Sequence, residues 1–459
     1  MHCSHAVAGD LAQPIVYYAL KKGPRWFESF VSNSFRGREL PGYSTQKKPV
    51  GQLTSPLKIL QLSPRLPFPL TEGGNIGIYN ITRQLRRRGA EIYFAAVSDR
   101  QDEVSVAALK NLCSSVFVAP LTKKYGLKTA AKNIFSAVPV NIEKYHSRKN
   151  LEQIVRFISG KGIDLVHADH LHMAYYGLAI GRALKVPVVL REHNLELKIM
   201  ERFAATSPNM FHRRYAGLQL AKFKKYEPAV CAQFNKCIMI TEEDRKRLLT
   251  FRHDIKTAVI PAGVDTEFFS PEDSLGEDDT IAYVGSLDWL PNVDGLAWFV
   301  QEVLPIVVKS RPSVRFYVYG KNPSRDVFKL SDGRNVIVKG FVDDVREVFR
   351  KARLMVVPLR AGSGIRIKIL EAMAAGKAIV ATSIGREGIK CETEKNIMVA
   401  DGANEFAGKV LRLLGDRELC VSIGRQAARL ASTEYSWERI GGMFWDEYSE
   451  IIGRHKELR

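Results

Sequence analysis

The stretch Leu354-Met355-Val356-Val357-Pro358-Leu359-Arg360-Ala361-Gly362-Ser363-Gly364-Ile365-Arg366-Ile367-Lys368-Ile369-Leu370-Glu371-Ala372-Met373-Ala374-Ala375-Gly376 decides the fold. Its first four residues read as a buried strand. A loop with glycines at 362 and 364 follows, then a helical segment stopped by Gly376. Glycines let backbone amides approach an anion, and a helix start adds free N–H groups and partial positive charge. Arg366 and Lys368 bring cations to the same place, and Glu371 lies about one turn on, where a carboxylate can accept paired hydroxyls such as those of a ribose. A tight turn followed by a Lys368–Glu371 surface pair at i,i+3 is the other reading of the same residues.

The same order of strand, glycine loop and helix recurs outward from this stretch. Leu57 to Leu62 reads as a strand, Ser63 to Gly74 as a loop, the segment through Tyr79, Ile81 and Leu85 as a helix stopped by Gly89, and Ile92 to Val97 as the next strand. Further strands are expected at 164–167, 186–190 and 236–240. A second series covers 280–285, 314–319, 336–338, 354–357 and 378–381. The economical fold is α/β, two doubly wound Rossmann-like domains facing a cleft. The expected divisions are a poorly ordered extension over 1–56, a first domain over 57–265, a linker over 266–279, a second domain over 280–434, and a C-terminal helix over 435–459 crossing back to the first. Ligands of such domains bind beyond the carboxyl ends of the strands.

The Gly362-Ser363-Gly364 segment with its helix resembles the signature of the GT-B retaining glycosyltransferases of family 4. The agreement continues in order through Leu60 to Gly74, His193-Asn194, Ile240 to Asp244, Ile260 to Asp265, Tyr283 to Ser286, Gly340 to Val342 and Glu371 to Gly376. The resemblance implies a C-terminal domain that binds a nucleotide sugar, with Glu371 matching the second of a pair of family glutamates eight positions apart. The first would fall at 363, which is Ser363. The family also commonly has Arg after the glycine of the first C-domain strand and a Lys soon after. Here Ser286 follows Gly285, and Trp289-Leu290-Pro291-Asn292 occupies the place of the Lys. Arg366 and Lys368 are the expected substitutes on the diphosphate.

The resemblance further implies that the Gly73-Gly74 loop approaches the donor from the first domain. It places Gly285 and Ser286 at the nucleotide, gives Gly320 the task of clearing room for it, and has the Phe341-Val342 edge read the base through backbone groups. Asp169 and His170, at the end of Asp164-Leu165-Val166-His167-Ala168-Asp169-His170-Leu171-His172, are expected to contact sugar, and His193 is a second candidate. With Glu371, Asp169 and His170 form the expected catalytic set. His167, His170 and His172 could ligate a metal, but successive residues leaving a strand point different ways, so no metal is expected. A buried histidine satisfied by the backbone is the plainer alternative for His193.

Charge adds a second line of inference. The chain holds 68 Lys plus Arg against 49 Asp plus Glu, a net of +19 over 459 residues. Residues 1–56 carry +4, residues 57–265 carry +15 (33 basic against 18 acidic) and residues 266–459 carry zero (28 against 28). The basic clusters are Arg83 with Arg86 to Arg88, Lys123-Lys124-Lys128-Lys132, and Arg213-Arg214-Lys222-Lys224-Lys225 among Phe211, Tyr215, Phe223 and Tyr226. They fit an anionic membrane face as well as a solvated surface. No helix-turn-helix, zinc module or RNA-recognition signature accompanies them, so nucleic acid is not expected. Six scattered cysteines read as reduced thiols. No run approaches a membrane span, and the start lacks the pattern of a secretory signal. The expected protein is a cytoplasmic enzyme, peripheral on the inner membrane face, without a cofactor. It moves sugar from a UDP- or GDP-sugar to a glycan or lipid-linked acceptor in envelope or exopolysaccharide synthesis. A sugar-nucleotide epimerase of the same fold and a non-catalytic nucleotide-sugar-binding, membrane-associated protein are the alternatives.

Overall fold

The computed structural model describes residues 56–457 apart from 71–72, 100–102, 122–125, 207–209, 273–275 and 363. The extension expected over 1–56 lies outside them save for Pro56, as does Ser363.

Two parallel sheets organise the described chain. The first contains β1 (Lys58–Ser63), β2 (Glu91–Ser98), β3 (Ser115–Pro120), β4 (Leu165–Asp169), β5 (Val188–Glu192), β6 (Lys236–Met239) and β7 (Thr257–Val259), in the order β3-β2-β1-β4-β5-β6-β7. The second contains β8 (Thr280–Val284), β9 (Arg315–Tyr319), β10 (Val336–Gly340), β11 (Leu354–Val357), β12 (Ala378–Ala381) and β13 (Met398–Val399), in the order β10-β9-β8-β11-β12-β13. β1, β4, β5 and β12 are buried along almost their whole length, as strands covered by helices on both faces must be. Sequence reading did not single out β3, β7 and β13. Each is an edge strand; β7 has three residues and β13 two, while β3 carries the four-residue apolar run Val116 to Ala119 but is mostly half-buried.

Strand order reverses between β1 and β4 in one sheet and between β8 and β11 in the other, which opens a crevice at the carboxyl ends of those strands. The helices that bear on these crevices are α1 (Gly73–Arg87), α2 (Leu127–Asn133), α3 (Glu196–Thr206), α4 (Met210–Cys231), α5 (Ile367–Ala374), α6 (Arg417–Glu434) and α7 (Trp437–Glu457). Beyond β7, Val264 pairs with Ser436, and the Val264 amide donates to Tyr435 O at 2.7 Å. From there α7 runs over the first sheet. Its Trp437, Ile440, Phe444, Tyr448, Ile451 and Ile452 are buried in one cluster with Ile59, Ile78 and Leu85. The approach to α1 depends on glycine: a Cβ at Gly441 would lie 2.4 Å from Gln84 Cβ. Cys113, Cys231, Cys237, Cys391 and Cys420 are buried free thiols. Among the described residues no helix is long and apolar enough to cross a membrane.

Candidate functional site

In the first half, polar side chains gather where β1, β4 and β5 end. Asp169, the last residue of β4, is fully buried, and its Oδ2 accepts from Gln61 Nε2 at 2.8 Å. Oδ1 lies 3.3 Å from Arg191 Nη1, 3.2 Å from His193 Nε2 and 3.3 Å from His167 Nε2. Burial alone would raise its pKa, but His167, His193 and Arg191 outweigh it and hold the carboxyl well below the usual range. Asp169, expected as a sugar contact, thus already has partners on both oxygens inside the protein. With both oxygens occupied inside the protein, it acts on its neighbours.

His170 follows at φ 66°, a left-handed conformation that turns the chain sharply off the strand. Its ring lies on that of His193, with centroids 3.7 Å apart and planes 9° apart. It is 9 % exposed, and Nε2 finds no partner among the described residues. Desolvation, with repulsion from His193 and Arg65, pushes it well below the ordinary histidine range. His193 is pushed down to about 4 and His172 to about 3, each chiefly by burial. The cleft wall therefore carries neutral imidazoles at pH 7. Among the described residues no group of His, Cys, Asp and Glu is placed to hold a metal ion.

In the second half, β11 runs into the glycine loop and α5. Arg366 immediately precedes α5 without a capping bond from its side chain, and donates from Nη1 to Gly364 O at 2.9 Å. Its guanidinium lies 5.7 Å from the ring centre of Trp289, and burial lowers its pKa. Gly362 has φ 130°, and a Cβ there would lie 2.3 Å from Arg366 Nη2. Lys368 Nζ donates to Glu371 Oε2 at 2.7 Å. That is the i,i+3 pair of the plainer reading, yet Glu371 is only 5 % exposed, and burial raises its carboxyl while Lys368 lowers it. The absence of a side chain at Gly320 has a structural cause as well, since a Cβ would fall 1.7 Å from Gly285 O. Ser286 and Phe341 are exposed at the strand ends, Val342 is half-buried, and Lys321 lies 5.2 Å from the Phe341 ring centre.

The halves meet at these elements. A Cβ on Gly73, the first residue of α1, would be 3.3 Å from Cγ1 of Ile367, the first residue of α5, so the first residues of the two helices lie close together. A Cβ on Gly74 would lie 3.9 Å from His193 Nδ1, and one on Gly364 3.1 Å from Asn194 Oδ1. Lys198 on α3 reaches Asp244 at 3.0 Å and Glu387 of the second half at 3.3 Å. Sequence reading missed Trp289, Lys198 and Glu387. Only the exposed tryptophan left a signal, standing where the family has a cation.

The basic clusters divide. Arg83 pairs with Asp265 at 3.2 Å, and Arg88 donates to Glu438 O at 2.5 Å, so this cluster serves in part to seat α7. Lys222 is buried, donating to Asn133 Oδ1 at 3.0 Å. Those three side chains leave the expected membrane face. Lys123 and Lys124 lie outside the described residues. Lys132, Arg213, Arg214, Lys224 and Lys225 are exposed.

Comparison with known proteins follows the same division of the chain. A family described as Glycosyltransferase Family 4 matches residues 71–268, and one described as Glycosyl transferases group 1 matches residues 278–416. An uncharacterised 44.6 kDa protein from the cps region of Klebsiella pneumoniae is 22 % identical over 366 residues, covering 77 % of this chain and 90 % of its own. The poly(ribitol-phosphate) alpha-N-acetylglucosaminyltransferase of Staphylococcus aureus is 24 % identical over 229 residues, 48 % of this chain and 45 % of its own. Among solved structures, Anabaena HepE in complex with UDP superposes with a TM-score of 0.61 at 16 % identity, over 86 % of this chain and all of that one.

Proposed function

The chain belongs to the GT-B glycosyltransferases of family 4, group 1 type, and from that premise we propose that it transfers sugar from a nucleotide diphosphate-sugar with retention at the anomeric carbon. The observation that carries this reading is the close approach of the first residues of α1 and α5, where a Cβ on Gly73 would fall 3.3 Å from Ile367 Cγ1, beside Arg366. Two helix starts and a guanidinium make an anion site that stabilises charge growing on a departing diphosphate. Lys368 joins them once its carboxylate partner turns to the ribose hydroxyls. His170, with an unpartnered ring nitrogen in the opposite wall, fits a neutral contact to the sugar.

UDP is the favoured carrier because HepE was solved with UDP, and a glycan acceptor is favoured by the name of the Staphylococcus relative. A lipid-linked acceptor at the inner membrane face fits the exposed basic side chains of the first half. Isothermal titration with UDP and with GDP tests the donor site. Arg366→Ala is expected to weaken UDP at least tenfold and to lower kcat/KM by roughly 10²–10³. Unchanged UDP affinity in that variant would sink the phosphate assignment.

A further inference from the structure

Tyr448 belongs to α7, which arrives from the second half of the chain, yet its hydroxyl meets Nδ1 of His167 inside the first sheet. Both side chains are fully buried. Burial raises the phenol far above its ordinary value, so it keeps its proton and can donate. Were Nδ1 to carry the proton instead, the bare lone pair of Nε2 would face Asp169 Oδ1 at 3.3 Å, repelled by a carboxylate. Donation from Tyr448 to Nδ1 leaves the His167 proton on Nε2, which lies 3.3 Å from Asp169 Oδ1 but outside hydrogen-bond geometry. Asp169 then has the His167 N–H near one oxygen and Gln61 on the other, and Arg191 Nη1 bridges it to His193, lying 3.3 Å from Oδ1 and 2.8 Å from His193 Nε2. The His193 ring in turn supports His170.

We propose that Tyr448 is a positioning residue for the cleft: through His167 it holds Asp169 in the orientation that places His193 and His170. The same helix begins at the crossover, where the Trp437 amide donates to Val264 O at 3.2 Å. One element thus carries the seat of the second half and the register of the histidines in the first. Packing is the competing role, since the Tyr448 ring lies edge-on to Phe444 at 5.9 Å and to His167 at 5.9 Å. Tyr448→Phe keeps both ring contacts and removes only the hydroxyl.

The effect on turnover rests on the transferase reading, but the effect on the imidazoles does not. Long-range ¹H–¹⁵N spectra of the full chain labelled at histidine, assigned with His167→Gln and His193→Gln, should show His167 as the Nε2–H tautomer at neutral pH. Tyr448→Phe should shift the ring nitrogens of both His167 and His193. With UDP-glucose as probe, UDP release should fall about tenfold in kcat with KM little changed, and Tm should hold. The loss should vanish in an Asp169→Asn background. Unshifted His193 nitrogens, or the same loss in that background, would overturn the proposal. A parent protein that does not turn over UDP-glucose counts against the donor assignment and leaves the spectra to decide this one.

Discussion

At the scale of single residues, the site combines groups that sequence could name with environments that it could not. Gly362, Gly364, Arg366 and Glu371 could be named because their chemistry and spacing fit a strand-to-helix anion loop, and the structure places the first three on the turn from β11 into α5 and Glu371 on α5. Asp169 was legible as a residue of interest, but its role was not. Complete burial with four partners follows from the neighbouring strands β1 and β5, which lie over 100 and about 20 residues away in sequence. Glu196 shows the same limit. It opens α3 as an ordinary acidic first-turn residue, yet burial raises its carboxyl to about 7 against the pull of Arg65 and Lys144. A folded-state value above the unfolded one means stability that is full below about pH 4 and is lost as pH rises through 7. Glu196→Gln should remove that loss, worth on the order of 3 kcal/mol at pH 8.5. Urea denaturation at pH 5.5 and 8.5 samples about 2 kcal/mol of it, because the unfolded carboxyl is already largely ionised at pH 5.5. Glu227, whose carboxyl is raised to about 8 by burial, leaves a residual slope that the double glutamine variant should flatten. Equal pH slopes in parent and single variant would show that Glu196 ionises freely in the folded protein.

At the scale of elements, the central strands were readable because each must be apolar on both faces. Edge strands escape that constraint, and β3, β7 and β13 escaped notice with it. What no pattern in the sequence announced is how closely α7 lies on α1. Gly441 reads as a weak point in a helix, since glycine costs up to about 1 kcal/mol there relative to alanine. In the fold it is the contact itself, with a Cβ meeting Gln84 Cβ at 2.4 Å and Arg88 Nη1 at 3.0 Å. Gly441→Val should therefore destabilise despite any gain in helix propensity, by about 1–3 kcal/mol through overpacking against α1. Gly453, near the end of the same helix, has open space around its Cβ position and serves as control. Guanidinium denaturation of both variants decides the matter: a Gly441→Val midpoint no lower than that of Gly453→Val would mean that α7 can slide off α1 at little cost.

At the scale of the whole molecule, the division of charge near residue 265 acquires a surface. Arg83, Arg88 and Lys222 serve internal contacts, but the acidic Asp169, Glu192, Glu227 and Asp244 are buried as well, so the first half still faces solvent with an excess of basic side chains. Part of that excess lies on α2 and α4. Asn133, at the end of α2, accepts from Gln219 Nε2 at 2.9 Å and so fixes Ile134 and Phe135 beside α4. Phe135 is 93 % exposed, Met210 67 % and Phe203 54 %, among the exposed cations Lys132, Arg213, Arg214, Lys224 and Lys225. Large apolar side chains set among cations suit an anionic bilayer better than bulk water, with about 1 kcal/mol per basic residue near the surface. Lys198 and Glu387 tie the adjoining helix α3 to the second half, so a membrane under this surface would lie beside the cleft. The expected outcome is cosedimentation with phosphatidylglycerol-containing vesicles at low salt, lost at high salt because exposed charges are screened, and absent with phosphatidylcholine alone. Charge and apolar terms separate by substitution. Replacing Arg213 and Arg214 with Glu should flatten the salt dependence, whereas Phe135→Ser with Phe203→Ser should weaken binding at every salt concentration and leave the slope unchanged. Equal binding to neutral vesicles, or no effect of either pair, would return the basic half to the role of a solvated surface. The lipid-linked acceptor would then lose its physical support, while the proposed donor site between α1 and α5 would be untouched by that outcome.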